Sequence, residues 1–344
     1  MSVAVSAPIF SLYAFRFRFR AAASLYFPPS KSGNIVRGAF GTIFRKLACV
    51  PECSDARTCT LRETCPYARI FEPSAAGRAP SGLADPPRPF VFRAAHLDGR
   101  TVEPGGEFHF DVHLFDVRDP ALAYFVLSFA QLAHEGLGPG RGRAELVGVD
   151  QLGLERTPQA EVFDGRTFLL GQALPPLELD LSPSREAVRR VALRFLTPTE
   201  LKAGGELALR PEFGVLFGRV RDRLSTLRAL YGEGPLPVDF KAMGERASRV
   251  RLVRSRLRWS ETDRRAGKTG RLHPFGGFTG EVEYEGDLAE FLPYLKAAEW
   301  TGVGRQTVWG KGEIAVEVRE TSGATLGDRG ALYSRNEAIK RCSR

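Results

Sequence analysis

The sequence predicts an α+β fold made of two consecutive units, each running β-α-β-β-α-β. Three observations predict it. The strand-like segments alternate apolar and polar residues with period two. Each half carries two segments of helical character. A glycine-rich, cationic loop follows the second helix in both halves: Gly136-Leu137-Gly138-Pro139-Gly140-Arg141-Gly142-Arg143, and Thr301 to Gly312. Two matching helix–loop–strand passages point to an internal duplication, and the element order is the ferredoxin-like one.

In the first half, Leu12 to Arg20 (LYAFRFRFR) alternates strictly, with Phe15, Phe17 and Phe19 on one face and Arg16, Arg18 and Arg20 on the other. That pattern is a half-buried strand with a basic open face. Pro28-Pro29 ends the segment, and Ser32 or Gly33 starts a helix through about Leu47. A cysteine-rich insertion, about residues 48–89 and Pro/Gly-rich toward its end, comes next. Phe90 to Ala95 and Glu107 to Phe115 are strands, residues 121–135 a helix, and Ala144 to Val149 the strand after the glycine loop. Residues 151–180 add an extension, and residues 181–187 are a linker.

In the second half, Val188 to Leu196 is a strand. Pro211 opens a helix through about Tyr231, which Gly232 and Gly234 end. Val250 to Trp259 and Gly276 to Glu285 are strands, and Asp287 is expected to cap a helix over Leu288–Trp300. The glycine loop and a strand over Glu313 to Glu317 close the unit. The expected organisation is a first domain over 1–182, a second over 183–320 and a polar tail over 321–344.

The 344 residues exceed one typical core. No apolar run reaches membrane-span length, and the N-terminus lacks a signal-like pattern, so the expected location is the cytoplasm, with no membrane partner. Net charge is +9. Much of the charge gathers between Arg246 and Arg271, where Arg254, Arg256 and Arg258 alternate with apolar residues, with a slip near Val253, and Lys268 and Arg271 follow. Such a stripe is either a solvated sheet face or a polyanion-binding surface; with Glu245 and Glu261 only at its ends, the second reading is favoured.

In the second loop, Gly302, Gly304, Gly310 and Gly312 bare the backbone, and Arg305 and Lys311 add positive charge. This suits a phosphate or nucleic-acid backbone, although the order helix–loop–strand excludes a P-loop. Arg141 and Arg143 occupy the matching place in the first loop. Cys49, Cys53, Cys59 and Cys65 fall close together and could bind one structural zinc. An iron–sulfur cluster and disulfides are the alternatives.

The stretch GGFTGEVEYEGDLAEFLPYL…EWTGVGRQTVWGKGEI resembles the C-terminal signature of CRISPR-associated endoribonucleases that process precursor CRISPR RNA, members of the RAMP superfamily. IVRGAFGTIFRKLAC, CPYARIFEP, PFVF, PGGEFHFDVHLF and GLGPGRGRAEL resemble a cysteine-containing branch of that family. The resemblance implies paired ferredoxin-like domains that bind CRISPR repeat RNA. It implies cleavage without a catalytic metal, by 2′-hydroxyl attack, leaving 2′,3′-cyclic phosphate and 5′-hydroxyl ends. Other CRISPR effector subunits are implied partners, and the expected state is monomer or homodimer. A non-catalytic RAMP subunit that only retains RNA is the alternative.

Such chemistry needs a base, an acid and charge stabilisation. His273, beside Lys268 and Arg271, is the expected acid or base, with Lys31 and Arg37 stabilising charge. His109 and His113 share a strand face, His96 lies in a loop, and His134 suits a helix C-terminus. Many members of the branch carry a histidine just before the Val-Gly of the second loop, where this chain has Gly302.

Overall fold

In the computed structural model, residues 8–50, 52, 53, 55, 56, 58–73, 86–260, 263–265, 272–274 and 276–319 are described. The first half runs β1 (Ile9–Ala21), β2 (Leu25–Tyr26), α1 (Ser32–Ala48), α2 (Pro66–Ile70), β3 (Phe90–Arg93), β4 (Thr101–Val102), β5 (Glu107–Leu114), α3 (Leu122–Glu135), β6 (Ala144–Leu152), β7 (Pro158–Phe163) and β8 (Leu177–Asp180). The second runs β9 (Arg190–Thr199), β10 (Lys202–Ala203), β11 (Glu206–Leu207), α4 (Phe213–Tyr231), α5 (Phe240–Ala247), β12 (Arg251–Ser260), β13 (Asp263–Arg265), β14 (Leu272–Pro274), β15 (Gly277–Glu285), α6 (Leu292–Thr301) and β16 (Ile314–Arg319).

The two main sheets repeat one topology. The first has the order β3-β5-β1-β6, extended by β7, and the second β12-β15-β9-β16. Every pairing in them is antiparallel. Numbered within each β-α-β-β-α-β unit, both sheets read 2-3-1-4, so the expected tandem ferredoxin-like fold is present. The split β-α-β arrangement puts both helices on one face, and that face holds the core.

The alternating phenylalanines of β1 explain the first core. Phe15, Phe17 and Phe19 lie under α1 and α3 with Phe40, Phe110, Phe125 and Phe129. The Phe40 ring stacks on Phe125 and Phe129 at centroid distances of 4.9 and 5.0 Å. The second core joins Phe195, Phe213, Phe217, Tyr284, Phe291 and Tyr294. Phe10, Leu12, Val91 and Phe115 of the first unit belong to the same cluster, so apolar packing is continuous across the junction.

Three expectations change. The helix expected at Leu288 begins at Leu292, with Phe291 rather than Asp287 at its N-cap position. Pro293 favours that start because its ring suits the first helical turn. The helix α5 was not expected; Asp239 caps it by accepting from the N–H groups of Lys241 and Ala242 at 3.0 Å each. The third concerns β1, whose arginines are paired rather than free: Arg16 with Asp111 (2.8 Å), Arg18 with Asp150 (2.7 Å) and Arg20 with Glu107 (3.2 Å). The acids come from neighbouring strands, Asp111 and Glu107 at facing positions and Asp150 diagonally, which a reading along β1 alone does not reveal.

A candidate nucleic-acid interface

The junction of the two units is built around the C-terminus of α6. Arg93 of β3 donates to the carbonyls of Glu299 (3.2 Å) and Trp300 (2.9 Å). The His113 ring nitrogen Nδ1 lies 2.8 Å from the Trp300 carbonyl, and Arg223 of α4 donates to that of Thr301 at 3.1 Å. These carbonyls have no partner inside the helix, and cations there oppose the negative end of its dipole. Burial holds His113 well below the ordinary histidine range and lowers Arg223 to about 9.

The glycine-rich loop after α6 folds back on its own strand. Val303 and Gly312 are joined by a backbone bond of 2.9 Å, and Gly312 donates to Pro198 at 3.1 Å. Gly302, Gly304, Gly310 and Gly312 have φ values of 73°, 82°, 84° and 71°. A Cβ on Gly312 would collide with the Val303 carbonyl, and one on Gly304 with the Glu200 carbonyl. The close backbone approach expected at a ligand is therefore made, at these two positions, by the protein to itself.

The loop's cations are also engaged. Lys311, expected on the RNA, has a wholly buried side chain. Its ammonium donates to the Gly276 carbonyl (2.6 Å) and to Gln306 Oε1 (3.1 Å), with Glu200 at 3.7 Å. Burial lowers its pKa to about 8 against the opposing pull of Glu200. Arg305 is half exposed and pairs with Glu200 at 2.7 Å. Lys311 thus braces the loop from beneath, and only the Arg305 side of that pair meets solvent.

The loop sits over the start of α1. Gly33 meets the backbone of Trp309 and Gly310, where any side chain would clash. Arg37, expected to stabilise charge, is buried instead, with its guanidinium 3.4 Å from the centroid of Trp309 and 4.4 Å from that of Phe71. Asp98 Oδ1 accepts from the N–H groups of Lys31 (3.1 Å) and Ser32 (2.9 Å) and from the Ser32 hydroxyl (2.6 Å). The Lys31 side chain is exposed beside this cap. Ser30, Gly33, Ala94, Ala95, Asp98, Thr197, Pro198, Trp309 and Gly310 line one small recess, so the two units meet there.

Two further surfaces carry cations. Arg141 and Arg143 of the first loop are exposed. Arg141 shares a groove of about 340 Å³ with Asn34, Gly38, Thr42, Glu135 and Gly138. On β12, Arg254, Arg256 and Arg258 are exposed, and the register slips between Leu252 and Arg254, the irregularity expected near Val253. The stripe is less unbalanced than expected. Arg251 pairs with Glu285 and Arg254 with Glu283 at 2.7 Å each, and Glu281 faces Arg256 across the ladder.

His273 lies on the backbone of β14 opposite Arg264, while Lys268 and Arg271 fall outside the described residues, as do 74–85 and the tail. His134 is exposed in the last turn of α3. Sequence reasoning passed over one pairing: His96, in a single turn over Ala95–Leu97, stacks on His109 of β5 with ring centroids 4.6 Å apart. The hint was available, because a histidine just past a strand edge can fold back onto that sheet.

Cys49, Cys53, Cys59 and Cys65 line one recess of about 170 Å³ beside Leu61 and Pro66. Among the described residues, however, no group of three or more His, Cys, Asp or Glu is placed to hold a metal ion. The expected zinc is therefore not supported. Burial and the neighbouring Cys65 and Cys53 raise the Cys49 thiol to about 11, which favours its protonated form. No helix among the described residues is long and apolar enough to cross a membrane.

Comparison with known proteins gives the following. Residues 193–314 match the family model described as CRISPR-associated endoribonuclease Cas6. Residues 10–175 match a family model described as the AF_1859 N-terminal domain. An uncharacterized protein of Archaeoglobus fulgidus is 27% identical over 301 residues, covering 85% of this chain and 95% of that one. A Cas6 product complex, its protein from Thermus thermophilus, superposes with a TM-score of 0.52 at 19% identity, covering 89% and 99% of the two chains. A partial Cas6-RT-Cas1–Cas2 complex gives a TM-score of 0.52 at 12% identity over 91% of this chain and 47% of the longer one.

Proposed function

We propose that the chain is a Cas6-type RAMP protein, a reading supported by the match of residues 193–314 to the Cas6 model, and that it cleaves CRISPR repeat RNA in precursor transcripts to release guide RNAs. The observation that carries this reading is the junction itself. The glycine-rich loop of the Cas6-type half is seated on the N-terminus of α1, with exposed Lys31 beside the contact. A phosphodiester laid across that junction would touch both units, and a fixed site of this kind can splay a nucleotide for in-line attack.

The reaction we infer is attack of a 2′-hydroxyl on the adjacent phosphate, leaving a 2′,3′-cyclic phosphate and a 5′-hydroxyl, with general acid–base groups in place of a catalytic metal. Lys31 supplies positive charge near the scissile phosphate. Arg256, Arg258, Arg141 and Arg143 hold the RNA on either side, and His273 is the acid–base group expected from sequence. The Cas6 relatives solved in a product complex and in a Cas6-RT-Cas1–Cas2 complex support RNA and other CRISPR proteins as partners.

The test is single-turnover incubation with labelled repeat RNA in excess EDTA, followed by analysis of the product ends. One discrete cut with a cyclic phosphate end is the expected result. Tight binding of cognate repeat RNA without a cut would instead establish the second reading, a RAMP-type subunit that retains RNA. Gly302 favours that second reading, because many members of the branch have a histidine there.

A further inference from the structure

We infer that His96 is the general base of the cleavage reaction and that His109 positions it; the inference rests on the nuclease reading above. Three features of the geometry converge on this. His96 is exposed, and its ring lies on that of His109 at 4.6 Å with an interplanar angle of 27°. Its Nε2 is 2.8 Å from the His109 carbonyl oxygen. A carbonyl only accepts, so Nε2 carries the proton of the neutral ring and Nδ1 keeps the lone pair.

The turn that carries His96 is also fixed to the junction. Its neighbours Ala94, Ala95 and Asp98 line the recess shared with Ser30, Gly33, Trp309 and Gly310. The three donations to Asp98 tie it to the start of α1, next to Lys31. Two histidines can serve only if they are not both charged in the working state. Burial, with His96, Arg16 and Arg100 nearby, holds His109 below the ordinary histidine value, against the opposite pull of Asp111. A neutral His109 can accept an imidazolium stacked on it. The remaining roles noted for histidine are taken, since buried His113 contacts the Trp300 carbonyl and His134 sits in the last turn of α3.

The step balances without a cofactor. Nδ1 of His96 takes the proton of the 2′-hydroxyl as the 2′-oxygen bonds to phosphorus. The bond from phosphorus to the 5′-oxygen breaks, and that oxygen takes a proton from solvent. The imidazolium then returns its proton to solvent.

The experiment compares wild type, His96→Ala, His96→Gln, His109→Ala, His109→Phe and His273→Ala in single-turnover cleavage of repeat RNA with EDTA, alongside RNA affinity and the pH–rate profile. His96→Ala and His96→Gln should each slow cleavage by about 100-fold or more while affinity changes less than about twofold. Glutamine can keep the donation to the His109 carbonyl, so its failure would not reflect a lost fold. His109→Ala should slow cleavage and move the pH–rate profile, and His109→Phe, which keeps a stacking ring, should recover most of the rate. Cleavage by both His96 variants at the wild-type rate, or a fall in affinity that matches the fall in rate, overturns the assignment. So does a His273→Ala variant that is inactive while the His96 variants cut. A wild-type protein that binds but does not cut removes the nuclease reading itself, a separate outcome.

Discussion

At the scale of single residues, Lys311 shows how a charge in a promising loop can serve the loop. Its ammonium is buried and surrounded by the Gly276 carbonyl, Gln306 and Glu200. Its folded pKa is lowered from 10.5 to about 8. Between those two values the unfolded chain holds a proton that the folded protein has released. Stability therefore rises with pH across that window, and at neutral pH the buried charge is a cost. Thermal unfolding of wild type and Lys311→Met at pH 7 and near pH 10 should show this. Wild type should gain stability relative to the variant as pH rises, and identical pH dependence in the two proteins would refute it. Arg37 makes the same point without titration, since its guanidinium lies between Trp309 and Phe71. Loss of that desolvated stack in Arg37→Ala should lower stability by about 2 kcal/mol or more, read as a fall in the denaturant midpoint.

At the scale of elements, β12 separates structural from ligand-directed arginines. Arg251 and Arg254 are bonded to Glu285 and Glu283 on the paired strand, whereas Arg258 faces Thr279 in the register. An arginine already paired gives up one partner to gain a phosphate, so it contributes less to RNA binding. Arg258→Ala should weaken RNA binding and reduce the slope of log affinity against log salt by about one. Arg254→Ala should change both by less, and a titration over a range of salt concentrations with equal slopes for the two variants would contradict the assignment. The same strand shows what could be read from sequence. The slip of β12 near Val253 is a local property and is present, whereas the expected apolar face is only partly formed, since Val253 and Trp259 are exposed like the arginines. The carboxylates of β15 are neighbours only after pairing, so a count along one strand missed them. The same reason hid the acids that pair with Arg16, Arg18 and Arg20, and it hid the stack of His96 on His109. Helix α6 started late because the turn before Pro293 is set by packing of Leu288 and Phe291 in the core, not by the Asp287 side chain.

At the scale of the molecule, the site depends on how two similar units are held together. Apolar packing of Phe10, Leu12, Val91 and Phe115 into the second core supplies area. Arg93, Arg223 and His113 supply direction, because all three converge on the final carbonyls of α6. The chain from that helix end continues straight into the loop that rests on α1, so the same contacts set the loop's place over Lys31 and the His96 turn. Replacing Arg93 by Met leaves the Glu299 carbonyl without its donor, and the Trp300 carbonyl with His113 alone, while keeping an apolar stem of similar length. Each polar group left buried without a partner costs about 1–3 kcal/mol. The two cores, which are otherwise complete, should then respond separately to heat. Calorimetry of Arg93→Met should resolve a broadened or double transition where wild type gives one, and RNA cleavage should fall further than RNA affinity, since a loosened junction misplaces groups drawn from both units. A single sharp transition in the variant, with cleavage unchanged, would mean that the apolar seam alone holds the junction and that the cations at the end of α6 only satisfy its carbonyls.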